Sequence, residues 1–390
     1  MARLGDVCDV RDGTHDSPVY IDRGFPLVTS KNIINGKLDL SVVNYISPED
    51  YNKINERSNV ECGDIIMPMI GTIGNPYIVG DFTDFAIKNV ALIKFNNEQI
   101  NNKYIYHFLN SEKFNKYVAE NNRGGTQKFL SLKDIRNLEV EVPSLKEQLI
   151  IIEKLDGLNE LILSRKQQLS KLDELVKARF VEMFGDPMIN PMGWNIVNIS
   201  EVVGGKVSNG FFAKRDEYCD DGNVKVLGVA HVVNRMYSNI ECLPQTNGTD
   251  ADISKFGVKY GDMLFCRSSL VAEGIGKASV VPKNTPNNVL FECHVIRLPL
   301  NLDKCVPEFM QVLSTTDYFR NQVISQSKTA TMTTIGQDGI LKTDIILPPI
   351  ELQKRFLQFV EQVDKSKFEI QQSLEKLETL RKSLMQQYFG

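Results

Sequence analysis

The chain contains its own second copy, and no other feature constrains its fold as strongly. Leu4-Gly5-Asp6-Val7 recurs as Ile199-Ser200-Glu201-Val202. Cys62-Gly63-Asp64-Ile65-Ile66 recurs as Tyr260-Gly261-Asp262-Met263-Leu264, and Ile73-Gly74 as Ile275-Gly276. Further along, the match locks to a constant offset of 205: Ile135/Ile340, Pro143/Pro348, Gln148/Gln353, Leu172/Leu377, Lys177/Lys382 and Phe184/Phe389. This period far exceeds the ~20–50 residues of stacking repeats, so each copy is a domain with an appendage. A chain of 390 residues is also too long for one compact core.

Each copy has two parts. Segments 1–143 and 186–347 are rich in β-branched residues, glycine and turn signals, as in Val90-Ala91-Leu92-Ile93 and Val224-Lys225-Val226-Leu227. They read as mainly β mixed domains interrupted by short helices over 102–117 and 307–323. Segments 144–185 and 348–390 place apolar residues at spacings of three and four: Leu145, Leu149, Ile152, Leu169, Leu172, Val176, Phe180, and in the second copy Phe356, Val360, Val363, Ile370, Leu374, Leu377. That pattern predicts two long amphipathic helices. Pro143 and Pro348-Pro349 mark their entries, and Gly185-Asp186-Pro187 stops the first. An isolated helix of this kind would expose its apolar stripe, and the other copy offers a matching one. The expected fold is therefore α+β, two globular domains joined by two long helices that form an antiparallel coiled coil. The second copy ends at Phe389-Gly390 in step with Phe184-Gly185, which gives the expectation of a finished chain.

Several function classes find no support. The seven cysteines are scattered without a C-x-x-C pair, which predicts reduced thiols in a cytoplasmic protein and no structural zinc. No apolar run approaches the ~20 residues of a membrane helix, and the start lacks a signal-peptide pattern. The four histidines, His15, His107, His231 and His294, show no H-E-x-x-H spacing, and no G-x-x-x-x-G-K-[ST] loop is present. His107 reads as a core residue and His294 as a strand residue. A DNA amino-methyltransferase needs a polar residue before Pro-Pro-aromatic, whereas this chain has Leu347-Pro348-Pro349-Ile350. Asn75-Pro76-Tyr77 reads as a turn. No catalytic residue, metal ligand or cofactor site is expected. The formal net charge of −4 argues against a self-sufficient DNA binder, which is usually basic.

Taken together, the joint 139–148, its twin 344–353, Gly63-Asp64-Ile65-Ile66, Asp12-Gly13-Thr14-His15, Gly125-Thr126-Gln127 and Phe184-Gly185-Asp186-Pro187 resemble the specificity subunits of type I restriction-modification systems over the whole chain. The second copy departs from the Gly-Thr-Gln loop, reading 327–334 without glutamine. The resemblance implies two target recognition domains, each reading one half of a split double-stranded DNA site. It implies helices that act as a ruler and dock two methyltransferase subunits, with restriction or translocase subunits as further partners. S-adenosylmethionine would belong to the methyltransferase in DNA methylation.

Side chains that hydrogen-bond base edges or phosphates nominate loop residues as DNA contacts. In the first domain these are Thr14, His15, Ser30, Lys31, Asn32, Arg123, Thr126, Gln127 and Lys128. In the second they are Asn209, Lys214, Arg215, His231, Arg267, Ser268, Ser269, Lys328, Thr331 and Thr333. Two other readings remain open: the recognition half of a fused restriction-methylation enzyme, and a coiled-coil scaffold with two protein-binding heads.

Overall fold

The computed structural model describes residues 1–71, 73–121, 129–329 and 332–390. The chain forms two compact units, residues 1–167 with 371–390 and residues 168–370, so the division falls inside both long helices.

In the first unit a four-stranded antiparallel sheet has the order Asp9–Asp12, Val90–Lys94, Ile65–Pro68, Tyr77–Ile78. Its central strands are apolar at every position from Val90 to Ile93 because both faces are covered. Ile65, Met67, Ala91 and Ile93 face a cluster with Ile105, Phe108, Leu109 and Ile135. Ile66, Val90 and Leu92 face the opposite way, onto Val28, Phe85 and Ile87. A smaller sheet runs Asn44–Ile46, Phe25–Val28, Ala86–Ile87, with the last pair parallel.

The second unit repeats this plan, with Tyr218–Cys219 added to its smaller sheet and an extra three-stranded sheet of Ser268–Ser269, Thr333–Thr334 and Lys328–Thr329. Its four-stranded sheet has the order Ser208–Asn209, Val295–Pro299, Asp262–Cys266, Ala278–Val280. Its smaller sheet contains Gln245–Thr246, Val224–Leu227 and Val289–Phe291, the last two again parallel. The register is duplicated too: Arg3 faces Glu139 and Asn198 faces Asp344, while Ile65 faces Ile78 and Met263 faces Val280.

The helical stretches expected over 102–117 and 307–323 are each broken in two: Asn102–Phe108 with Glu112–Asn121, and Pro307–Ser314 with Asp317–Ser325. The breaks sit where hydroxyls compete for the backbone. Phe114 N donates to Ser111 Oγ at 3.2 Å, and Phe319 N to Thr316 Oγ1 at 3.4 Å.

The long helices span Leu145–Phe184 and Ile350–Phe389. The first starts on a capping box: Glu147 N donates to Ser144 Oγ at 3.4 Å, and Ser144 N to Glu147 Oε2 at 2.9 Å. In the first unit, Lys154 donates to Tyr388 Oη at 3.2 Å and Lys166 pairs with Glu378 at 3.0 Å. In the second unit, Asp173 pairs with Lys367 at 2.5 Å and Phe180 lies 5.7 Å from Phe356, ring to ring. Numbers rise on one helix as they fall on the other, so each unit holds an antiparallel segment of the helix pair.

A buried glutamine locks each long helix to its domain. Gln148 Oε1 accepts from Asn101 N at 2.9 Å, and its Nε2 donates to the carbonyls of Gln99 and Pro143. Its twin Gln353 accepts from Val306 N at 2.9 Å and donates to Lys304 and Pro348. The helix C-termini are exchanged: Phe389 packs on Tyr104 and Phe108 in the first unit, and Phe184 on Phe309 and Phe356 in the second.

Candidate nucleic-acid interface

In each domain the same backbone segments meet at one end of the four-stranded sheet. The strand Asp9–Asp12 runs into Gly13-Thr14-His15, and its twin into Gly210-Phe211-Phe212. Thr14 bridges Lys88 in parallel, as Phe211 bridges Glu292. Both approaches require glycine: a Cβ on Gly13 would come within 2.3 Å of the Ile87 carbonyl oxygen, and one on Gly210 within 2.2 Å of that of Glu292. The central strand continues into Ile70, which bridges Phe129. In the second domain it continues into Ser268–Ser269, which pair with Thr334 and Thr333. Lys88 N donates to Val28 O at 2.9 Å, which brings the turn Ser30–Asn32 to the same end.

Within the first domain, the exposed His15 is held at both ring nitrogens. Its Nδ1 lies 2.8 Å from Asn89 Oδ1 and its Nε2 2.9 Å from Asp12 Oδ2, and Arg57 pairs with the same Asp12. Bonding to Asn89, then to Asp12, pushes the imidazole pKa above its ordinary value, so this exposed ring favours the cation. Thr14 accepts from Asp16 N at 3.1 Å. Ser30 is half-buried and Lys31 exposed. Asn32 must be withdrawn. It is 4% exposed, accepts from Thr29 N at 3.0 Å, and donates to the carbonyls of Asp39 and Val42 at 3.1 and 2.9 Å. It shapes the turn that presents Lys31. Arg123, Thr126, Gln127 and Lys128 lie outside the described residues.

In the second domain, Lys214, Arg215 and Lys328 are exposed, and Asn209 and Ser269 half-buried. The Arg267 N donates to His294 O at 2.8 Å, and its guanidinium to Cys293 O at 3.3 Å. Ser268 and Thr333 are 8% and 2% exposed and are internal. Ser268 Oγ lies 2.6 Å from His294 Nδ1, and Thr333 Oγ1 3.1 Å from Thr329 Oγ1. They support the surface instead of forming it. The His231 ring accepts from Gly228 N at 3.0 Å. Burial first, then Arg235, lowers its pKa, so it is a neutral turn cap. Thr331 lies outside the described residues.

Sequence reasoning missed Lys88, Asn89 and His294. His294 was expected in a strand. It occupies the exposed turn before Val295–Pro299 and braces Ser268. Asn89 adopts a φ of 55°, a conformation that asparagine tolerates better than most residues. The Lys88-Asn89 pair, a donor followed by a turn residue, was the available signal. His107, expected in the core, is buried against Asp156 at 2.8 Å, with its pKa lowered by burial.

Among the described residues, no group of three or more His, Cys, Asp or Glu side chains is placed to hold a metal ion. No described helix is long and apolar enough to cross a membrane. What the platforms offer is hydrogen-bond donors and cations at the rim of a rigid sheet.

The family described as type I restriction modification DNA specificity domain matches this chain twice, over residues 1–174 and 191–380. The chain belongs to that family. The specificity subunit of the type I restriction enzyme EcoKI from Escherichia coli K12 is 22% identical over 94% of this chain and 82% of its own length. The MjaIX specificity subunit of Methanocaldococcus jannaschii is 20% identical over 99% of this chain and 91% of its own. Among solved structures, the type I restriction-modification S subunit from M. genitalium superimposes with a TM-score of 0.56 at 12% identity, covering 100% of this chain and 95% of that one. A chain from a study of complex assembly and conformational transition of the type I restriction-modification system gives a TM-score of 0.57 at 19% identity, covering 100% of this chain and 96% of that one. The duplicated domains and the paired helices are the fold of these S subunits, and this chain is a type I specificity subunit.

Proposed function

We propose that this chain reads a bipartite site in double-stranded DNA, one half-site per domain, and directs two methyltransferase subunits to it while performing no catalysis itself. The functional division is 1–143, 144–185, 186–347 and 348–390. The observation that carries this reading is the duplicated platform. Two copies of one strand-end geometry present different side chains, as two readers of different half-sites require. In the first domain the contacting set is Thr14, His15, Ser30 and Lys31, and residue type alone adds Arg123, Thr126, Gln127 and Lys128. In the second it is Asn209, Lys214, Arg215, Arg267, Ser269 and Lys328.

The net negative charge fits a subunit that shares phosphate contact with its partners. Duplicated helix ends and domains offer two similar docking surfaces, hence two methyltransferase subunits.

Reconstitution with the methyltransferase subunit, followed by mapping of methylated bases, tests the proposal. Arg267→Ala should relax one half-site only, by roughly 1–3 kcal/mol of discrimination. Equal relaxation of both half-sites would refute the two-reader arrangement. The purified chain alone, given DNA and a radiolabelled methyl donor, should transfer nothing above background. Mass measurement should give two methyltransferase subunits per chain, and an active one-to-one complex would contradict the docking scheme.

A further inference from the structure

The two platforms differ by an insertion. Asp64 and Asp262 occupy the same place at the start of the central strand, and this register carries Pro68 onto Cys266 and Gly71 onto Ser269. Just beyond, the register steps by four residues, so that Ile73-Gly74 matches Ile275-Gly276. The match is structural: both glycines have positive φ, 92° and 64°, and Gly74 N donates to Pro68 O as Gly276 N donates to Cys266 O. The second domain therefore carries four extra residues within 270–274, Leu-Val-Ala-Glu-Gly.

The inserted segment is an ordered finger. Val271 N donates to Ser269 Oγ at 3.2 Å, and Gly274 N to Val271 O at 3.1 Å. Arg320 holds the Glu273 carbonyl at 3.0 Å. A Cβ on Gly274 would meet Ser269 Cβ at 2.7 Å as well as its Oγ at 2.1 Å, so the close approach favours glycine. Below the finger, Ile275 is fully buried in the core. Yet the two apolar side chains at the tip project outward: Leu270 is 82% exposed and Val271 57%. Phe212, the counterpart of His15 beyond the strand Ser208–Asn209, is 69% exposed. The polar neighbours along this segment are Arg267 and Ser269, with His294 bonded to Arg267 N.

We propose that the Leu270–Val271 tip is a specificity determinant of the second domain, packing against a thymine methyl group in the major groove of its half-site. This rests on the DNA-reading function proposed above. The argument is chemical. The C5 methyl is the only apolar group that base edges display in the major groove, and aliphatic contact is how it is recognised. An apolar tip set among hydrogen-bond donors on a base-reading platform matches that combination. The first domain lacks the insertion and carries the polar His15 where the second has Phe212, so its half-site is read without this contact.

The test uses the chain assembled with its methyltransferase subunits and the half-sites established by methylation mapping. Duplexes are compared in which each thymine of the second half-site is replaced in turn by uracil, which lacks only the methyl. One replacement should weaken binding of the unaltered complex about three- to fivefold, the worth of one buried methyl. Leu270→Ser/Val271→Ser should lose that sensitivity and accept other pairs at that position, leaving the first half-site unchanged. The proposal is overturned by a second half-site without thymine on either strand, by insensitivity of the unaltered complex to every replacement, or by undiminished sensitivity in the variant. Failure of the variant to bind the methyltransferase, seen by mass, also overturns it and assigns the tip to a protein contact. If the DNA-reading function itself were wrong, the pattern would differ: neither Arg267→Ala nor the tip variant would shift either half-site.

Discussion

The two domains share a scaffold to the level of single hydrogen bonds and part company at the strand ends. Gln148 and Gln353 make the same three contacts, and Gly13 and Gly210 approach a neighbouring carbonyl equally closely. At the platform the first domain places His15 between Asp12 and Asn89, where the second places Phe212 and an inserted apolar tip. The buried frame tolerates little change because interiors are close-packed and each internal polar group needs its partner. The rim faces solvent, where a new side chain disturbs no packing. A duplicated reader can thus alter what it reads without refolding.

This comparison can be broken first at the helix ends, where the largest effect is expected. Phe184→Ala empties a site bounded by Phe180, Phe309 and Phe356 and should cost about 3–5 kcal/mol. Phe389→Ala should cost less, since Phe389 meets two rings, Tyr104 and Phe108, where Phe184 meets three and is fully buried. Urea unfolding of both variants checks the order, and equal losses would show that the two helix ends are equivalent in energy as well as in place.

Next come the twin glutamines. Gln148→Ala leaves Asn101 N unpaired and Gln353→Ala leaves Val306 N unpaired, each at a cost of about 1–3 kcal/mol. Their losses should be similar and should add in the double variant. Unequal unfolding midpoints would show that the joints have diverged in energy.

The smallest effect belongs to His15. Its folded pKa is raised, so its bonds to Asp12 and Asn89 contribute stability that is fully present below the unfolded pKa and fades as pH rises through the folded value. His15→Gln should therefore lower the urea midpoint slightly at pH 5.5 and hardly at all at pH 9. Phe212→Gln, at the equivalent place, should show no such pH dependence. A His15 effect that grows with pH would contradict the raised pKa.

Periodicity and repetition by themselves determined much of this protein. The apolar spacing revealed both long helices, and the proline and glycine signals set their ends to within two residues of Leu145–Phe184 and Ile350–Phe389, because a helical face that must be buried repeats at a fixed interval. The constant offset of 205 revealed two equivalent domains. Residue type also proposed the platform segments, since side chains able to hydrogen-bond base edges or phosphates are what a reader needs. It could not separate presenting side chains from supporting ones. Asn32, Ser268, Thr333 and His231 have the composition of readers, yet their partners are internal, and those bonds join segments far apart or hidden in turn geometry. The insertion at 270–274 was legible as the four-residue step between the Asp64/Asp262 and Ile73/Ile275 matches, but the outward aim of its Leu270–Val271 tip was not. Tertiary structure decided those questions: which polar atoms are already satisfied, and which apolar ones are left facing outward, depends on the neighbours folding brings.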